Sequence, residues 1–220
     1  MRISELYLRF GLPINLQQHQ YRVAALANII TNNWKPEAEN ISPKIIFEAS
    51  LLHDLTKFIR FDYDNPNQLL DPKDNTKKLK KCQTEVIAKY GSNDHLAAVK
   101  ICQEIGVDEH TIALKTKREN FSKKIVVIAD GRDMNLKILA YCDARIAPFG
   151  LVTIKQRTSD YLKRHKCANH SKEVVQEFVD GLTCIESQIQ QNITIPVNEI
   201  SPEQVEKGAS TFHNFIITPQ

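Results

Sequence analysis

Glycine is scarce in this chain, with seven in 220 residues, and apolar residues recur every three or four positions along most of its length. That spacing lines apolar side chains along one face of an α-helix, and few glycines are present to break it. The predicted class is all-α, a single bundle of about eight to ten helices. The first well-marked helix runs from Asn15 to about Asn33, with Leu16, Val23, Leu26, Ala27 and Ile30 as its buried stripe. Trp34-Lys35-Pro36 ends it, because a proline disfavours helical geometry in the residue before it. Ser42-Pro43 opens the second helix, serine as cap and proline in the first turn. It passes through Ile45, Ile46, Ala49 and Leu52 to His53-Asp54. Further helices are predicted near 75–90, 93–105, 109–119, 122–146, 153–167 and 170–190, with Asp130-Gly131 as a kink or break in the fourth of these.

Between them, Ile59–Pro72 is rich in Asp, Asn and Pro, Pro66 and Asn67 included, and reads as a loop beside a site. Residues 1–192 read as the main helical unit and 193–220 as an extension. In that extension Ile193–Val197 is short and β-leaning, Ser201-Pro202-Glu203 starts a last short helix, and Phe212 onward is a docked or mobile tail.

Composition narrows the function classes. With 42% hydrophobic and 25% charged residues and a net charge of +3, the chain is ordinary for a globular protein and too weakly basic to imply nucleic acid as a partner. The clusters Lys77–Lys81 and Lys115–Lys124 are predicted as solvated helix faces. No apolar run approaches the roughly 18 residues of a membrane span, and the N-terminus carries an early Glu5 and no apolar signal core. A cytoplasmic location and no membrane partner are expected. The five cysteines, Cys82, Cys102, Cys142, Cys167 and Cys184, are odd in number and widely spaced. They are expected to be reduced, mostly buried thiols. None of this sets an oligomeric state.

The chemistry concentrates at Leu51-Leu52-His53-Asp54-Leu55-Thr56-Lys57. A carboxylate among apolar neighbours is costly to bury unless something compensates it. A divalent cation is an economical partner, since imidazole and carboxylate are ready-made ligands. His19, on the first marked helix, and Asp143, after apolar Leu139-Ala140-Tyr141-Cys142, complete a set of two imidazoles and two carboxylates. We read His19, His53, Asp54 and Asp143 as one metal site assembled from three separated helices. The mixed nitrogen and oxygen donors suit Mn, Fe, Co, Ni, Mg or Zn rather than a thiolate-bound structural zinc. Taken singly, the bland readings are a structural histidine for His19 and, for Asp143, an ion pair with Arg145 or another basic residue.

The order and spacing of His19, His53-Asp54 and Asp143 resemble the HD superfamily of metal-dependent phosphohydrolases. Arg22-Val23 resembles that family's usual sequel to its first histidine, and Lys57 falls where His-Asp is typically followed three residues on by lysine. His95-Leu96-Ala97-Ala98, ending at Glu104-Ile105-Gly106-Val107, is similar to its intermediate histidine-bearing helix. Asp143-Ala144-Arg145-Ile146, Phe149-Gly150 and Arg157 are similar to its closing segment. The resemblance covers roughly residues 10 to 170. It implies an HD-like helical fold and hydrolysis of a phosphate ester or anhydride of a small phosphorylated metabolite, a nucleotide being one such substrate. It also implies metal ligation by His19, His53, Asp54 and Asp143. Asp54, Lys57 and Arg22 are then the catalytic candidates, and His95, Lys57, Arg22 and Arg145 the substrate-binding ones. The alternatives are an HD-fold module that binds metal or nucleotide with little turnover, and an RNA-associated protein. No second adjacent-histidine pair is present to place a second ion.

Overall fold

The computed structural model describes residues 1–65, 70–164 and 172–218, and within them the chain is an all-α bundle. Pro66, Asn67, Cys167 and the predicted helix junction around 165–171 lie outside the described residues. Helices α1 (Ile3–Phe10), α2 (Ile14–Asn32), α3 (Pro43–Leu52), α4 (Thr76–Tyr90), α5 (Asp94–Glu104) and α6 (Glu109–Arg118) come first. They are followed by α7 (Phe121–Asp130), α8 (Met134–Arg145), α9 (Ile154–Arg164), α10 (Lys172–Asn192) and α11 (Pro202–Thr211). The only strands among the described residues are β1 (Ile146–Ala147) and β2 (Gly150–Leu151), a minimal antiparallel hairpin after α8. Among the described residues no helix is long and apolar enough to cross a membrane.

The break expected at Asp130-Gly131 is present: α7 ends at Asp130, and Asp133 caps a fresh start, its side chain accepting from the Leu136 amide at 3.1 Å. An additional helix, α1, precedes the first expected one. Its Ile3, Leu6, Tyr7 and Phe10 are buried at helical spacing, and Gly11 ends it in the left-handed region at φ +66, where a Cβ would lie 2.7 Å from Cys82.

The core is organised around α2 and α3, which pack on each other, with α8 against both and α6 across α3. Leu26, Ile30, Ile46, Leu51, Leu52, Leu139 and Tyr141 are buried at their contacts. Residues 193–218 are docked rather than trailing. α11 crosses α2, Val205, Ala209, Phe212 and Ile217 are buried, and the Ile217 amide donates to the Met1 carbonyl at 3.0 Å. The β-leaning stretch contributes one bridge, Ile193 to Trp34.

The first lysine cluster is solvated as expected, but the second is not uniform. Lys117, Lys123 and Lys124 are exposed, whereas Lys115 and Arg118 are buried. The correction follows from helical phase: Thr111, Leu114 and Arg118 fall at i, i+3 and i+7 on the face of α6 that packs against the core.

Burial also sorts the thiols. Cys102 and Cys142 are buried and Cys184 is exposed. Burial pushes the Cys102 thiol up to about 11 and raises Cys142 as well, so neither is a thiolate near neutral pH. With a thiol-reactive probe at pH 8 and peptide mapping, Cys184 is expected to label in the native protein, and Cys102 and Cys142 only after denaturation. Labelling of Cys142 at the native rate of Cys184 would contradict this packing.

Candidate metal centre

Three buried elements deliver the site. His19 projects from the second turn of α2, His53 and Asp54 follow directly on the end of α3, and Asp143 lies on the last turn of α8. Helix α3 stops there because the chain turns through residues 53–56 into a short 3-10 turn, Lys57–Arg60. Tyr7 supports that end by donating its hydroxyl to the Leu51 carbonyl at 2.5 Å. Gln20, fully buried beside His19, accepts the Asp54 amide at 3.3 Å.

The four side chains expected as ligands meet. His19 Nε2 lies 3.2 Å from His53 Nε2 and 3.0 Å from Asp143 Oδ1. His53 Nε2 lies 3.4 Å from the same Asp143 oxygen and 3.6 Å from Asp54 Oδ2. His19, His53 and Asp54 each offer a donor atom, all within 4.8 Å of one another. Donor atoms that share one ion at roughly 2.1 Å stand about 3.0–3.4 Å apart, so His19, His53 and Asp54 could hold a single divalent cation, with Asp143 Oδ1 against both histidines. The Nδ1 of His53 is 2.7 Å from the Ser50 carbonyl, which can only accept, so Nδ1 carries a proton and Nε2 faces the cluster. Burial pushes His19 down to about 4, which leaves a neutral imidazole near pH 7, the form a metal requires.

Both carboxylates stay ionised. Burial by itself would raise Asp54, but Lys57, His53 and Arg118 together hold it well below the usual carboxylate range. For Asp143, burial is likewise overcome, chiefly by Arg118 and then by the two histidines. Lys57 Nζ donates to Asp54 Oδ2 at 2.7 Å from a half-exposed position.

Arg118 is the site residue that sequence reasoning passed over. Its guanidinium donates to Asp143 Oδ2 and lies 3.5 Å from Asp54 Oδ1. It rests over the Phe121 ring at 5.2 Å. The bland reading of Asp143 as half of an ion pair is therefore also realised, with Arg118 and not Arg145 as the partner. The i+7 phase of Arg118 on the apolar face of α6 was the available signal.

Three other candidates stand elsewhere. Arg22 donates through Nε to Glu206 at 2.6 Å and through Nη1 to the Pro148 carbonyl at 3.3 Å, tying α2 to α11 and to the hairpin turn. Arg145 is two residues from Asp143, about 200° around the helix. With Asp143 in the site it faces away, onto Glu186 at 3.0 Å and the Tyr141 hydroxyl. His95 Nδ1 is 3.2 Å from Glu119 Oε1, an oxygen it shares with buried Lys115 at 3.2 Å. None of the three lines the pocket over the centre.

That pocket has a volume of about 170 Å³. His19, Asp54, Asp143 and Arg118 line it together with Lys57 and Arg157, and Leu16, Phe61, Phe121 and Ile146 form apolar parts of its wall. The arrangement places a His/Asp cluster that could hold a metal ion in a recess that is part apolar and lined by three cationic side chains. Comparison with family models, curated proteins and solved structures finds no match for the chain.

Proposed function

We propose that this protein is an HD-type metal-dependent phosphohydrolase that cleaves a phosphate ester or anhydride of a small phosphorylated metabolite, a nucleotide being one such substrate. The observation that carries the reading is the convergence of His19, His53, Asp54 and Asp143 in a recess also lined by Lys57, Arg118 and Arg157. His19, His53, Asp54 and Asp143 would hold a divalent ion, which would supply Lewis acidity toward a phosphoryl oxygen and acidify water. The chain supplies the rest. Asp54, kept ionised, orients the attacking water and accepts a hydrogen bond from it. Lys57 and Arg118 stabilise charge developing on phosphoryl oxygens. The apolar wall limits competing water. A pocket of about 170 Å³ is below the ~300 Å³ of typical small-molecule sites, so it suits a phosphoryl group with the remainder of the substrate outside.

The test is phosphate release from a panel of phosphorylated metabolites, nucleotides among them, by metal-stripped protein with added Mn²⁺. Activity on at least one class, abolished by chelation and restored by Mn²⁺, is expected. Chelator-insensitive activity, or none across the panel, defeats the proposal. One observation favours a second reading, a binding module with little turnover: Arg118 already pairs with both carboxylates. Mn²⁺ binding without phosphate release from any substrate would select it.

A further inference from the structure

The charges around the recess cancel before any metal arrives. Asp54 and Asp143 contribute two negative charges. Arg118, nine-tenths buried, contributes one positive charge, and Lys57 contributes the other from the rim. Arg157 is matched by Asp160 at 3.9 Å. The histidines bind metal only as neutral imidazoles. A divalent cation placed on His19, His53, Asp54 and Asp143 therefore leaves two positive charges in excess, in surroundings that solvate charge poorly. Arg118 cannot easily leave to relieve the excess. It is packed over Phe121 and held between carboxylates from two different elements.

A second observation points to what does relieve it. Arg118 Nε is a buried donor with no acceptor among the described residues, on a side chain that lines the recess. An orphaned guanidinium N–H of this kind costs free energy until an oxygen reaches it. We infer that Arg118 is a resident counter-cation that makes metal binding conditional on a phosphate dianion. It competes with the ion for Asp54 and Asp143 when the recess is otherwise empty, and joins it in holding the ligand when a doubly charged phosphate enters. A phosphomonoester, or the terminal phosphate of a nucleotide, carries close to two charges near pH 7 and restores neutrality. A phosphodiester carries one and does not. The inference rests on the metal centre proposed above and narrows its substrate to monoester or terminal phosphate.

Mn²⁺ affinity of the metal-stripped protein, followed by the loss of the free-ion electron paramagnetic resonance signal, tests this without any turnover. In wild type, inorganic phosphate at pH 7.5 is expected to tighten Mn²⁺ binding by about tenfold or more, within the range usual for coupled sites. Dimethyl phosphate, a monoanion, is expected to change it by less than about threefold. Arg118→Met should bind Mn²⁺ about tenfold more tightly than wild type without phosphate, and lose most of the phosphate effect. Arg118→Lys, which retains the charge, should stay within about threefold of wild type without phosphate. Wild-type Mn²⁺ affinity indifferent to phosphate, or equal tightening by dimethyl phosphate, overturns the inference and leaves the metal centre standing. So does an Arg118→Met protein, folded by circular dichroism, that binds Mn²⁺ no better than wild type. If both variants fail to fold, the wild-type comparison of the two anions decides alone. Absence of Mn²⁺ binding by wild type under every condition removes the metal centre and this inference together.

Discussion

Asp143→Ala is expected to destabilise the metal-free protein by about 3 kcal/mol, the lower part of the range for breaking a buried ion pair. Asp143 and Arg118 are both nearly inaccessible to solvent. Removing the carboxylate strands a largely buried guanidinium, and the remaining Asp54 oxygen lies 3.5 Å away, too far for a strong charge-assisted bond. The loss is therefore large but not the full cost of an isolated buried charge. Urea denaturation in the presence of a chelator measures it. The double variant Asp143→Ala, Arg118→Met should recover more than about half of the loss, because it removes the stranded charge as well. A single-variant cost below about 1 kcal/mol would mean that the pair is solvated in the folded protein.

The second large effect is on activity. Asp54→Asn keeps the side-chain volume and a hydrogen-bonding head but cannot carry the negative charge that Lys57 and Arg118 hold in place. Phosphate release is expected to fall by on the order of 10³-fold, comparable with removing one strong electrostatic contributor from a transition state. Mn²⁺ affinity should weaken in parallel, by about 10–100-fold or more. Far-UV circular dichroism should be unchanged, since Asp54 sits beyond the end of α3 and the Gln20 contact is to its backbone amide. Hydrolysis that survives Asp54→Asn within about tenfold would place the reacting group elsewhere in the recess.

The fold was largely legible because helical phase is written locally. The stripe of Leu16, Val23, Leu26 and Ile30 declares α2, and Ser42-Pro43 declares the start of α3, without reference to the rest of the chain. Even α1 carried its signal in Ile3, Leu6, Tyr7 and Phe10. The four prospective ligands were readable for a related reason. Each is a polar group set within or beside an apolar stripe, where only a strong partner offsets its burial.

The partners themselves were not legible. Arg22 finds Glu206 across 184 positions of sequence, and Arg118 reaches Asp143 and Asp54 across 25 and 64. Arg145 turns to Glu186 across 41. Which cation meets which carboxylate depends on how α6, α8, α10 and α11 pack around α2 and α3. Thus the sequence by itself determined that the chain is helical and that two imidazoles and two carboxylates lie on buried faces, since both follow from spacing along one helix. Only the tertiary structure decided that Arg118 stands between the two carboxylates while Arg22 and Arg145 hold the scaffold. Ion pairing is set by distance in space, and every basic residue in a chain looks equally eligible until the helices are packed.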